Sequence, residues 1–212
     1  MSKGEKQLAA WSGNFGNEYL RRNRVTPEAI DNRKKAFTEI FKNLNSDTKL
    51  ESILETGCNI GINMHALTKI TDAKLYGVEP NGKALHMAVE NGALNRDRAH
   101  KASLQSLPFG CNTVDLVFTS GVLIHVPEQS LEKALSEIYR VSRHYILTLE
   151  YFSPTTQAVQ YHGHNDFLFK RDYGGLFADA FPDLNHVANG FFWKRTTGMD
   201  NLNWWLFRKN VD

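Results

Sequence analysis

Cysteine is scarce in this chain: Cys58 and Cys111 are the only two among 212 residues. So few cannot build a disulfide framework or a cysteine-rich zinc module, and both lie between periodic segments, where an α/β fold puts its loops. No run of about 18 apolar residues occurs, which excludes a membrane-spanning helix and gives no reason to expect a membrane partner. An excess of one charge is missing too, because 25 Lys and Arg stand against 23 Asp and Glu. A nucleic-acid-coating surface needs a stronger basic bias, so a small-molecule partner is expected rather than a nucleic acid. The polar first ten residues carry Lys3 and Lys6 with no apolar run behind them, so no secretory or transit signal is expected and the compartment reads as cytoplasmic. Repeats and low-complexity tracts are absent, and nothing in the composition sets an oligomeric state.

What is present is an ordinary globular composition, 42% hydrophobic and 23% charged, that suits one domain over residues 1–212. The first 25 residues, which include WSGNFGNEYLRRNRV, are too irregular for a strong helix and too apolar for a disordered tail. Thr26 and Pro27 form an N-cap and first helical position, and Ile30, Phe37, Ile40, Phe41 and Leu44 continue as one apolar stripe. Ser52 to Thr56 reads as a buried strand, with a turn at Gly57 to Gly61 and a helix marked by Met64, Leu67 and Ile70. Strands at Lys74 to Glu79, Ala99 to Ser103, Val114 to Thr119 and Tyr145 to Glu150 alternate with helices at Ala84 to Glu90 and from near Pro127. Residues 152–171 show few periodic signals and read as an insertion, after which Phe191 to Trp193 and Trp204 to Phe207 look like a terminal antiparallel pair. Adjacent Trp204 and Trp205 point to opposite faces of such a strand. The expected fold is α/β, a Rossmann-like three-layer sandwich with a mostly parallel seven-stranded sheet and a C-terminal antiparallel strand pair.

The turn Glu55-Thr56-Gly57-Cys58-Asn59-Ile60-Gly61 has small or turn-tolerant residues where a strand must bend into a helix close to a ligand. Glu79 lies 22 residues beyond Gly57, at a strand end from which a carboxylate accepts hydrogen bonds from a ribose. Together they suggest an adenosine-containing cofactor. A dinucleotide fold shares both features, but its G-x-G-x-x-G pattern is not met here, since Asn59 and Ile62 occupy the later positions.

ETGCNIG, the acidic strand end VEP, Leu107-Pro108-Phe109 and VDLVFTSGVLIHV together resemble class I S-adenosylmethionine-dependent methyltransferases over about Ser52 to Glu150. The resemblance implies S-adenosylmethionine as cofactor and a small-molecule methyl acceptor. It implies cofactor contacts from Glu55, Gly57, Cys58, Asn59, Gly61, Glu79, Pro80, Ser103, Leu104, Gln105, Ser120 and Gly121. Asn59 replaces the family's second loop glycine and is the non-glycine residue best able to adopt a left-handed backbone. Ser103 replaces an aspartate that many members place near the adenine amino group. WSGNFGNEYLRRN and YHGHNDFLFKRDY are similar to a subgroup associated with pseudaminic acid biosynthesis, which implies a nonulosonic acid or related sugar as acceptor, in bacterial surface-glycan synthesis.

Several residues carry two readings. His125 follows the fourth strand near the ligand side of the sheet, as a general base or as a packing and capping residue. Trp11, Phe15 and Tyr19 recur every four residues, as core packing or as a lid whose aromatic faces attract a sulfonium and exclude water. Arg21, Arg22 and Arg24 then meet an anionic acceptor or form a solvated charge run. Tyr161, His162, His164 and Asp166 form a polar cluster on the insertion, whose His-x-His spacing lacks an obvious third metal ligand, so acceptor binding or a solvated loop is expected and no metal. Lys170 and Arg171 either hold an acceptor's anionic group or pair with Asp166 or Asp172, and Glu150 and Tyr151 face a similar choice. Two other functions share the βαβ pattern: a nicotinamide-dependent oxidoreductase, and a cofactor-binding member without catalytic activity.

Overall fold

The computed structural model describes residues 3–210, apart from the side chains of residues 3 and 164–166. Where the sequence looks irregular, the chain opens with two short helices, α1 (Lys3–Ser12) and α2 (Asn14–Leu20), broken at Gly13. Gly4, Gln7, Leu8 and Trp11, spaced along one helical face, lie on the body of the protein, so tertiary burial settles a helix that propensity alone leaves marginal. The third helix, α3 (Pro27–Phe41), starts as expected, with Thr26 accepting from the Ala29 N–H at 3.1 Å.

Strand and helix then alternate: β1 (Ser52–Thr56), α4 (Ile62–Leu67), β2 (Lys74–Val78), α5 (Gly82–Glu90), β3 (Ala99–His100), β4 (Val114–Ser120), α6 (Glu128–Val141) and β5 (Ser142–Glu150). Single 3₁₀ turns at Arg96–Arg98 and Leu123–His125 interrupt the connections. The third strand is only two residues long, shorter than the sequence suggests, because the chain turns away to bring residues 103–105 beside β2 and β4. The insertion, unpatterned in sequence, is a separate hairpin of β6 (Gln157–Tyr161) and β7 (His164–Lys170). Its two turn residues, His162 and Gly163, have φ of 49° and 83°, the doubly left-handed backbone that tight hairpins favour. The chain closes with α7 (Tyr173–Ala180), β8 (Leu184–Phe192), α8 (Lys194–Thr197) and β9 (Leu202–Lys209).

The main sheet has seven strands in the order β3-β2-β1-β4-β5-β9-β8, parallel from β3 through β5, with β9 antiparallel to both β5 and β8. This is the expected mixed sheet with its C-terminal antiparallel pair. Helices cover both faces. Phe37 and Ile40 of α3 and Met64 and Leu67 of α4 pack with Phe118 and Leu147 on one side, and Leu131 and Ile138 of α6 and Phe177 of α7 pack with Val117 and Ile146 on the other. Trp204 joins the first cluster and Trp205 packs on the second, against Gly174, where a β-carbon would come within 2.3 Å of the indole. Two glycines disguise α7 in the sequence, and both are placed: Gly174 leaves room for Trp205, while Gly175 donates its N–H to the Asp172 cap at 2.8 Å. No helix among the described residues is long and apolar enough to cross a membrane.

Candidate active site

Strand order reverses between β1 and β4, and a cleft at the carboxyl ends of the strands is the usual outcome at such a switch point. A cavity of about 1170 Å³, counted with its open mouth, lies there. Every residue expected to hold the cofactor lines it except Gly61. The loop after β1 takes left-handed backbone at Gly57, Asn59 and Gly61, with φ of 81°, 48° and 79°. Asn59 thus adopts the conformation required of the missing glycine, and its Oδ1 accepts from the Ile60 N–H at 2.8 Å. Gly57 brings the backbone against Val122, whose Cγ2 would be 2.6 Å from an added β-carbon. Gly61 sits outside the lining, where it caps α4, and a β-carbon there would lie 2.4 Å from that of Ala93.

Two buried carboxyls sit in the wall. Glu79 accepts from the N–H groups of Asn59 and Asn81, each at 2.9 Å, and burial raises its pKa. Glu55 is 2% exposed, and burial pushes its pKa up to about 8, opposed by a hydrogen bond from Asn63 Nδ2 at 2.5 Å. Its other oxygen, Oε2, has no hydrogen-bond partner among the described residues. Across from it Arg33 of α3 lines the cavity with its pKa lowered by burial, a shift opposed by Glu55, Tyr19 and Asp200. Its Nη1 donates to the Ala29 carbonyl, and among the described residues no carboxylate lies within ion-pair distance of the guanidinium. Burial likewise raises the Cys58 thiol well above its ordinary value, so it remains a thiol.

The helices α1 and α2 form the roof. Trp11 and Tyr19 line the cavity, with Phe15 edge-on to Trp11 at 5.0 Å between ring centroids. The Trp11 ring also lies 4.5 Å from that of His125, which is pushed down to about 4 by burial and is therefore neutral at pH 7. The Phe167 carbonyl on β7 faces His125 Nδ1 at 2.6 Å.

The acceptor-side expectations fare differently. Neither Glu150 nor Arg171 lines the cavity, and each turns toward backbone instead. Glu150 is fully buried with its pKa raised to about 7 by burial, and its oxygens accept from the Val122, Leu123 and Ile124 N–H groups. Arg171, 2% exposed, donates to the Val126 carbonyl and the Tyr173 hydroxyl, and its Nη2 lies 3.3 Å from Glu128. Lys170 does not line the cavity. Tyr161 stands behind His125, with ring centroids 5.2 Å apart. His162 occupies the hairpin turn and meets Arg22 at the surface, while His164 begins β7, so the two histidines do not share a strand face. The side chains of His164 and Asp166 lie outside the described residues. Among those described, no group of three His, Cys, Asp or Glu side chains is placed to hold a metal.

Reasoning from sequence missed Arg33, Asn63 and Gln7, all of which line the cavity. A signal existed for Arg33: it stands between Ile30 and Phe37, three and four residues from each, and so interrupts an apolar helical stripe with a cation.

Comparison with known proteins agrees with this architecture. Residues 53–144 match a family model described as a methyltransferase domain. A sterol 24-C-methyltransferase of Neurospora crassa is 31% identical over 93 residues, 42% of this chain and 24% of that enzyme. The chain thus spans about a quarter of the length of this curated relative. An S-adenosylmethionine-dependent methyltransferase of Leishmania major superposes with a TM-score of 0.73 at 17% identity, over 95% of this chain and 85% of that one. The magnesium protoporphyrin IX methyltransferase of Synechocystis PCC 6803, solved with bound S-adenosylmethionine, gives 0.69 at 13% identity, over 99% and 98%. Residues 53–144 are thus similar to a methyltransferase domain, and the chain has the Rossmann-like fold seen in these S-adenosylmethionine-dependent methyltransferases.

Proposed function

We propose that this protein transfers a methyl group from S-adenosylmethionine to a small-molecule acceptor. Glu79 carries the reading: a carboxylate at the end of β2, held by Asn59 and Asn81, that faces a cavity at the sheet's switch point. The residues present fit the cofactor. The backbone from Gly57 to Ile60 would lie along its methionine part, Glu79 would bind the ribose, and Pro80, Ser103, Leu104 and Gln105 would enclose the adenine. Arg33, which has no carboxylate within ion-pair distance among the described residues, would take the methionine carboxylate. S-adenosylmethionine supplies a methyl group made electrophilic by its positively charged sulfur. Trp11 and Tyr19 exclude water and offer aromatic faces to that charge, with Ser120 and Gly121 closing the opposite wall. His125, neutral in its buried setting, accepts the proton that the acceptor releases.

The acceptor reading rests on resemblance alone: an acidic nonulosonic sugar or its precursor, approaching between the roof helices and the β6–β7 hairpin.

Calorimetry with S-adenosylhomocysteine, 5′-methylthioadenosine and NAD tests the cofactor. Tight binding of the first, weaker binding of the second and none of NAD is expected, and binding of NAD alone would instead favour the oxidoreductase. Arg33→Met should lower the affinity for S-adenosylhomocysteine by about 10- to 100-fold, to near that of the carboxylate-free analogue. Absence of binding by either sulfur ligand overturns the reading. Failure of labelled methyl to reach nonulosonic acids, with cofactor binding intact, overturns only the sugar assignment.

A further inference from the structure

The segment from Val122 to Val126, which carries His125, is fastened by groups that the methyl-transfer reading leaves without a task. Glu150 accepts from the N–H groups of Val122, Leu123 and Ile124 at 3.2, 3.1 and 3.2 Å, one buried carboxylate serving three successive donors. Arg171 Nη1 donates to the carbonyl of Val126 at 3.1 Å, just past the histidine. The third fastening is on the ring itself, where His125 Nδ1 meets the Phe167 carbonyl at 2.6 Å. That carbonyl also accepts from Gln7 Nε2 at 3.4 Å. A carbonyl oxygen only accepts, so Nδ1 carries the ring proton and Nε2 keeps its lone pair.

We propose that Glu150, Arg171 and the Phe167 carbonyl form a positioning set that holds His125 in its Nδ1-protonated form, with Nε2 bare as the proton acceptor for the reacting group. The assignment of a proton acceptor rests on the methyl-transfer reading, whereas the ring's protonation pattern does not. Two residues that looked like acceptor ligands in the sequence thereby act one step removed, on the backbone either side of the base. The hairpin gains a purpose as well, since β7 supplies the carbonyl that orients the ring. When the acceptor's heteroatom gives up its proton, Nε2 gains it and Nδ1–H stays on Phe167, so the ring need not turn over. The proton then leaves Nε2 for solvent as the roof opens.

Long-range ¹H–¹⁵N spectra of the histidine side chains at pH 7 test this, with the His125 signals identified by their loss in His125→Gln. The expected pattern is a protonated-type shift at Nδ1 and a bare-type shift at Nε2. In Glu150→Gln, whose amide cannot accept from three N–H groups, both His125 shifts should move toward an average of the two forms while the other histidines keep theirs. Arg171→Met should do the same and Arg171→Lys should restore the pattern, which keeps the test open if Glu150→Gln does not fold. A protonated Nε2 in the unaltered protein, or an unchanged His125 pattern in folded Glu150→Gln and Arg171→Met, overturns the proposal. S-adenosylhomocysteine binding, measured on the same samples, shows separately whether the cofactor reading stands.

Discussion

Asn81 joins the roof of the cavity to its floor: its Nδ2 donates to the Trp11 carbonyl at 3.1 Å, while its backbone N–H holds Glu79 Oε1 at 2.9 Å. The same side chain caps α5, its Oδ1 accepting from the Lys83 and Ala84 N–H groups. Asn81 Nδ2 also donates to Asn17 Oδ1 at 3.2 Å, so Asn81→Asp, which retains the capping oxygen and removes the donor, places negative charge beside the Trp11 and Asn17 oxygens. Hydrogen exchange should therefore quicken about tenfold in residues 3–20 and hardly change in 82–90. Asn81→Ala also loses the cap, at a cost of about 1 kcal/mol, and exchange should then quicken in both. Equal protection of the roof in Asn81→Asp would show that it is held elsewhere.

Glu55 sets part of the pH dependence of stability. Its folded pKa of about 8 lies above the ordinary 4.5, so the folded state binds the extra proton between these values. The contribution is fully present below pH 4.5 and is lost as pH rises through 8, with a slope of at most about 1.4 kcal/mol per pH unit. Glu150, raised to about 7, acts in the same direction. His125 is lowered to about 4 and acts oppositely, costing stability as pH falls from 6.5 toward 4. Denaturant titrations from pH 5 to 8 should show stability falling with pH, and Glu55→Gln should flatten the fall. An unchanged slope in that variant would mean that the carboxyl ionises normally.

Gly61 and Gly121 share a left-handed backbone, with φ of 79° and 65°, but not their surroundings. A β-carbon on Gly61 meets Ala93 at 2.4 Å and Ala88 at 3.3 Å, whereas one on Gly121 meets nothing within 4 Å. Alanine at Gly121 should cost about 1–2 kcal/mol of backbone strain. At Gly61 a further ~1–3 kcal/mol of overpacking is added. With roughly 2–4 °C lost per kcal/mol in a chain of this size, Gly61→Ala should melt clearly below Gly121→Ala in a calorimetric scan. The reverse order would show that Ala93 and Ala88 give way to the added methyl.

The central βαβ units and the β1 loop were legible because their signals are local: apolar strand runs, a Thr-Pro helix start, and glycine or asparagine where the backbone turns left-handed. What escaped depends on contacts between distant segments. Marginal in isolation, α1 and α2 are fixed by lying over the cavity. In α7, Gly174 and Gly175 look like helix breakers until Trp205 and the Asp172 cap are seen beside them. Glu150 is legible at the end of the fifth strand and Arg171 at the end of the insertion, but residue type does not reveal whether a charged side chain turns toward a ligand or toward its own backbone. Arg33 was passed over because it stood within an otherwise apolar stripe.

Glu79 is already ordered by two backbone N–H groups, so gripping a ribose would call for no rearrangement of the carboxylate. A ribose contact is blind to what the sulfur carries, and the same grip would serve the spent cofactor as well as the fresh one. Discrimination between them would then fall to the sulfonium's positive charge beneath Trp11 and Tyr19, and turnover would be governed by how readily the protein lets its own by-product go.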